Sequence, residues 1–472
     1  MRLIYNRATQ VVPWLGEKDK YTESAFGLID TIITNALPAD VGFRAEPGAI
    51  WDKPAMDGMG LPHFPSIEWE ALARLFERPY FQRIWVVQEL AVSSNAVARC
   101  GNLSIRWDHI EYVARLLTIT GWIRALRKLY GSRVKPTCIK SISACRLGFY
   151  ELKGGPGISL GLLLCSTRRS QATDPRDKTI ALMGLANNVG PEKSRSIVPD
   201  YSKPIADLYR DITGHLIMEE KSLSLLSSVE DISDRQIHKL PSWVPDYSVE
   251  QRATIIGMPL SQLSFQAASL APVSARWTTG STVLAVNGHR QDVIETVSAD
   301  SLEDLQDYMG VVNRWLDMAQ PLIRRGTLSI DAFWRTIIGN NGGGIFPASK
   351  QYGKHFASYL SLTATRKQGY LDTLSFEQAH HSRVAKPMLF QAALTYIAPH
   401  RKFFTTSKGS IGLGPRSIRP RDSVCVLSGG QVPFVLRKDC DHYRLVGESY
   451  VHGLMEGQAS QKESTLQESL IN

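Results

Sequence analysis

Arg78-Pro79-Tyr80-Phe81-Gln82-Arg83-Ile84-Trp85-Val86-Val87-Gln88-Glu89-Leu90-Ala91 breaks one helix and starts another. Pro79 clashes with an α-helix approaching from its N-terminal side and stops it. Beyond it, Trp85 and Glu89 stand four residues apart, so on a helix they share one face. Upstream, Ser66 caps the helix that Pro79 stops, and Trp69, Leu72, Leu75 and Phe76 fall on its inner side. Residues 38–65 are rich in Pro and Gly and read as loop. Ala25, Phe26, Ile29, Ile32 and Ile33 form another helical stripe, with Thr22 as candidate N-cap. Residues 11–16 (VVPWLG) read as a short buried strand ending at a glycine turn, where Pro13 fits only an edge or a bulge.

Downstream, residues 96–100 read as a strand and Gly101-Asn102 as a turn, before a long helix from about His109 to Tyr130. Residues 159–166 make one apolar stripe. Pro204 starts a helix that turns Ile205, Leu208, Ile212 and Leu216 inward. Leu240-Pro241-Ser242-Trp243-Val244-Pro245-Asp246 reads as a rigid extended connector. Residues 283–288 predict a strand closing on a turn at Gly288, and Phe333-Trp334-Arg335-Thr336 a helix ending near Gly339-Asn340. Past residue 400, short runs at 402–406, 423–427, 433–436 and 443–447 predict a small barrel or curled sheet. This divides the chain into an α/β unit (1–95), a mainly α-helical middle (96–275), a mixed α/β stretch (276–398), a small β-barrel-like region (399–458) and a polar tail expected to be disordered (459–472). No internal repeat is visible.

Composition sets outer limits. The 472 residues exceed what one core organises, and 43% hydrophobic with 21% charged residues is ordinary globular usage. The longest apolar runs, such as Leu162-Leu163-Leu164-Cys165, fall far short of the roughly 20 residues that span a bilayer. The start, Met1-Arg2-Leu3-Ile4-Tyr5-Asn6-Arg7, has no secretory pattern, so a cytoplasmic site is expected. Six irregularly spaced cysteines, with Cys138 and Cys145 the only near pair, have no zinc-ligand spacing and read as reduced thiols. The net charge of +9 is scattered, and its densest group (Arg416, Arg419, Arg421) is interrupted by Ile418 and Pro420. A solvated basic surface fits better than a specific nucleic-acid patch.

Chemical motifs are few. Residues 339–344 are glycine-rich but lack the Lys-Ser/Thr of a phosphate loop. His380-His381 has no third ligand nearby, and Asp174, Arg176 and Asp177 read as a capping and ion-pair turn. No metal site is expected.

The segments together resemble one family, the fungal heterokaryon-incompatibility (HET) domain proteins. Met1-Arg2-Leu3-Ile4-Tyr5 with Val12-Pro13-Trp14-Leu15-Gly16 is similar to the family's "M..IY..A..V..WLG" block, and Arg83 to Glu89 to the segment that closes the domain. Cys100-Gly101-Asn102 with Trp107, residues 172–178, 199–202, 240–246 and 333–336, and the tail from Phe403 through Gly453 follow in the family's order. Two strands that relatives carry upstream, "ALSYxWG" and "lWIDAICINQ", have no counterpart here, so the N-terminal unit is expected to be a truncated, partial TIR-like HET domain. The strand at 11–15 would then lose a neighbour and present an open edge.

The resemblance implies a role in nonself recognition and programmed cell death. It also implies a distant relation to TIR domains, some of which cleave NAD with a glutamate in a "W-C-x-x-E-L" helix. Trp85-Val86-Val87-Gln88-Glu89-Leu90 has that Trp-to-Glu spacing, with Val86 at the cysteine position. By this resemblance Glu89 is the catalytic candidate and Trp85 the ligand-stacking one, with NAD a substrate and no cofactor. The missing strands would normally shape the pocket, so turnover is expected of the intact domain rather than of a truncated one. From the residues alone, Trp85 is a core anchor and Glu89 a salt-bridge partner of Arg83 or Arg78. Partners would be other incompatibility proteins or a second copy. A non-enzymatic interaction module, or a decayed relative, remains the alternative.

Overall fold

The computed structural model describes residues 2–36, 53–119, 122–131, 158–187, 197–258, 265–302, 307–361, 386–458 and 467–472. These form two compact units, Met1–Tyr201 and Ser202–Asn472. His380-His381, Cys138 and Cys145 lie outside the described residues.

The first unit packs short helices around a small sheet. Its helices include α1 (Arg2–Arg7), α2 (Thr22–Ala36), α3 (Lys53–Gly58), α4 (Ile67–Phe76) and α5 (Ile84–Ala91). Ser66 caps α4 by accepting from the Trp69 amide, and Trp69, Leu72, Leu75 and Phe76 are buried, as their spacing predicts. A 3-10 turn, Pro79–Gln82, separates α4 from α5. Strand β1 (Val97–Cys100) falls where a strand is expected, but after the Gly101-Asn102 turn the chain first returns as a second strand, β2 (Leu103–Arg106), paired antiparallel with β1, before any helix. The long helix predicted after it is two, α6 (Trp107–Ile119) and α7 (Trp122–Tyr130).

Residues 11–16 run parallel to β1, through Val11 N to Asn95 O (2.9 Å), Val97 N to Val11 O (3.1 Å), Arg99 N to Pro13 O (2.8 Å) and Leu15 N to Arg99 O (2.8 Å). Pro13 has no N–H, so this ladder lacks one rung. The segment is not fully buried as predicted. Val11, Pro13 and Leu15 face inward, while Val12 and Trp14 are 50% and 49% exposed. The backbone groups of Val12 and Trp14 point away from β1 and have no hydrogen-bond partner among the described residues, so this edge is open.

The second unit is built on a curled sheet. Its strands are β3 (Ala275–Arg276), β4 (Leu284–Ser301), β5 (Arg401–Thr406), β6 (Ile411–Pro415), β7 (Ser423–Leu427), β8 (Phe434–Asp439), β9 (His442–Glu448), β10 (Tyr450–Val451) and β11 (Gln467–Ile471). The order β4-β11-β9-β8-β7 closes on itself because β7 also pairs with β4, giving a five-stranded barrel; β5, β6 and β10 extend from the far half of β4. Ile294, Phe404, Ile418, Val424, Val426, Val435, Val446 and Val451 fill the core.

Three expectations change here. The strand at 283–288 does not turn at Gly288 but runs 18 residues. Gly288 serves close approach instead, since a Cβ there would lie 2.8 Å from the Val426 carbonyl oxygen. The tail expected to be disordered contains β11, whose residues 467–471 pair antiparallel with 284–288. Residues 240–246 are not extended: the Arg235 guanidinium donates to the carbonyls of Leu240, Pro241, Ser242 and Val244 and folds the segment back, with Trp243 fully buried.

Candidate functional site

The break at Pro79 and the restart at Ile84 place Glu89. Phe81, in the 3-10 turn, is sealed into the core, stacked on Trp107 at 5.9 Å and tilted against Phe76 at 5.7 Å. Arg83 is extended and exposed, and α5 starts without a side-chain cap. Ile84, Val86, Val87, Gln88, Leu90 and Ala91 are buried, leaving Trp85 and Glu89 half-buried one turn apart. Val86, at the TIR cysteine position, is therefore a core side chain.

No arginine pairs with Glu89 among the described residues. Arg78 donates to the carbonyls of Leu15 (2.9 Å) and Glu17 (3.0 Å), to Thr22 and to Asp19 (2.9 Å), tying down the segment that follows residues 11–16. The salt bridge expected at Glu89 is replaced by a phenol. Tyr80 Oη lies 3.4 Å from Glu89 Oε2, and Tyr5, arriving on α1, is close enough for the two groups to interact electrostatically. Burial, then the Glu89 charge and its hydrogen bond, push the Tyr80 phenol far above its ordinary value. The same causes in the same order raise Tyr5. Both tyrosines belong to quoted motifs, but spacing alone does not bring residues 5, 80 and 89 together. Trp85 makes no ring contact and no indole hydrogen bond among the described residues.

A second polar cluster, marked by no local motif, lies in the barrel unit. Arg401 and Glu448, 2% and 4% exposed, meet at 2.6 Å; Glu448 also accepts from the amides of Ile256 and Gly257, each at 2.9 Å, and Arg401 donates to the Thr254 carbonyl. The pair borders a cavity of about 20 Å³, the space of one water, shared with Gln251, Arg252, His400 and Arg416. It anchors the 254–257 segment to β5 and β9. The Asp174–Arg176 turn is the ion pair predicted, at 2.8 Å. No group of three or more His, Cys, Asp or Glu among the described residues is placed to hold a metal, and no described helix is long and apolar enough to cross a membrane.

Residues 1–89 match the family model "Heterokaryon incompatibility protein (HET)", so the matched segment ends on Glu89 itself, and residues 351–470 match the "Het-6 beta-barrel domain". The chain contains a heterokaryon incompatibility (HET) segment and a Het-6 barrel segment. The barrel of this chain extends beyond its matched segment, because β4 lies upstream of residue 351. A curated relative, "Heterokaryon incompatibility protein 6, OR allele" of Neurospora crassa, is 22% identical over 461 residues. The match covers 82% of this chain and 65% of the relative's length. No solved structure matches significantly.

Proposed function

We propose that this protein acts in the cytoplasm in fungal heterokaryon incompatibility, where nonself recognition leads to programmed cell death. The observation that carries this is the match to a relative named for incompatibility across 82% of the chain, with a HET segment at one end and a Het-6 barrel at the other.

Against the expectation that turnover belongs to the domain with its upstream strands, Glu89 and Trp85 both stand half-buried one turn apart here, and the chemistry this reading assigns at Glu89 is TIR-like cleavage of the nicotinamide–ribose bond of NAD. The C–N bond breaks with its electron pair going to the pyridinium nitrogen, which leaves as neutral nicotinamide. Water attacks the oxocarbenium carbon and gives up one proton to solvent. A half-buried carboxylate stabilises the developing positive charge and can hold ribose hydroxyls. Trp85, one turn away with its ring uncommitted, offers a stacking face.

The open edge at residues 11–16 favours a second reading, a binding module that pairs with an extended strand of another incompatibility protein or of a second copy. Expression of the full chain in a fungal host separates the two, with viability and cellular NAD followed together. Death with NAD loss, both abolished by Glu89→Gln, supports the enzyme. Death that survives Glu89→Gln without NAD loss supports the binding module, and unchanged viability opposes a role in cell death.

A further inference from the structure

We propose that Tyr80 is the positioning residue of Glu89, so that the carboxylate is oriented by a neutral phenol and stays available to a cationic N-ribosyl pyridinium. This rests on the assignment of Glu89 made above.

Tyr80 is well fixed for the task. Pro79 pre-sets the backbone of the 3-10 turn, and the Tyr80 ring stands edge-on to Phe81 at 6.2 Å and to Trp107 at 6.3 Å. Its Oη faces one oxygen of Glu89 at 3.4 Å. That is long for an O–H···O bond, as contacts in unliganded sites often are before substrate tightens them.

The choice of donor decides what the site can stabilise. An arginine partner would orient Glu89 equally well but would cancel the field a developing oxocarbenium needs. Here Arg78 is engaged elsewhere, and Arg83 is exposed, its charge acting on both phenols without an ion pair to Glu89 among the described residues. A neutral donor orients without adding a cation. With the Trp85 indole on the same helical face, the arrangement suits a flat cationic ring better than a neutral or anionic one.

The test uses the full chain with carbon-13 at the tyrosine Cζ, Tyr5→Phe and Tyr80→Phe assigning the two signals. Both phenols should ionise above the ordinary tyrosine range, and Glu89→Gln should lower both midpoints. Tyr80→Phe keeps the ring packing, and with NAD it should lower kcat roughly 10- to 100-fold at nearly unchanged KM, the range seen when an orienting partner of a functional group is lost. Midpoints that ignore Glu89→Gln overturn the positioning role, as does a Tyr80→Phe enzyme altered in KM alone. If the unaltered chain cleaves no NAD, the chemistry assigned to Glu89 fails, and the titration alone still decides whether the phenol holds it.

Discussion

Among the described residues, the strand at 11–16 in the first unit has one neighbour, while in the second unit β4 has four, with β3, β5, β7 and β11 along its length. The barrel closes through β4 and its core holds mostly branched and aromatic side chains. Closure gives each of its five strands a partner on both sides. The N-terminal ladder instead ends in Val12 and Trp14, with bare backbone groups and half-exposed apolar side chains. The two units also handle carboxylates differently. Glu448 is buried against an arginine and two amides, which makes it an anchor. Glu89 is half-buried and met by the Tyr80 phenol rather than by an arginine. One unit is built to hold shape and the other leaves unsaturated groups at its surface.

The sharpest way to break that contrast is to remove the anchor. Glu448→Ala leaves Arg401 charged in the interior, and the barrel unit should lose about 3–5 kcal/mol. Hydrogen exchange across β5 and β9 should accelerate while exchange in α4 and β1 stays as it was. Replacing both partners with Met should recover most of the loss, because the cost lies in the unpaired charge. Equal loss from the single and double variants would show that the pair is incidental.

A smaller effect is expected at Asp292. Burial opposes its ionisation, but hydrogen bonds from Ser407 (2.7 Å) and the amides of Val293 (2.8 Å) and Lys408 (3.1 Å) outweigh it and hold the carboxyl below its ordinary value. A depressed folded-state value contributes stability above the unfolded-state value, near pH 4, and that contribution is lost as pH falls through the folded-state value. Asp292→Asn should therefore cost about 1–2 kcal/mol at neutral pH and flatten the acid limb of barrel stability. An unchanged acid limb in urea titrations would remove Asp292 from the account.

The smallest effect on stability belongs to the open edge. Trp14→Lys should shift unfolding by less than about 0.5 kcal/mol, since the side chain is half in solvent. It should reduce any self-association seen by sedimentation, because charge on an edge strand blocks further pairing. A large loss of stability would mean the indole is part of the core.

Local signals in the sequence were reliable where the physics is local. Ser66 before Trp69 marks a cap, Pro79 ends a helix, and the alternating runs past residue 400 coincide with β5, β7, β8 and β9. The barrel's closure was not legible. Gly288 looks like a turn unless one knows that β7 approaches within van der Waals distance of it. β11 begins with Gln467-Glu468-Ser469 and buries only Ile471, so its own pattern is too polar to name a strand. At the candidate site, Glu89 and Trp85 followed from four-residue spacing and family resemblance. Tyr5, Tyr80 and the Arg401–Glu448 pair depend on contacts between residues 9 to 84 positions apart, which no local pattern records.

Glu89 is proposed to keep an available charge that performs chemistry, and NAD consumption by the purified full chain beside its Glu89→Gln variant tests this most directly. The expected result is nicotinamide release by the unaltered protein and none by the variant, with both equally folded. Equal release from the two, or none from either, would contradict it and leave the open edge at residues 11–16 as the feature through which this protein works.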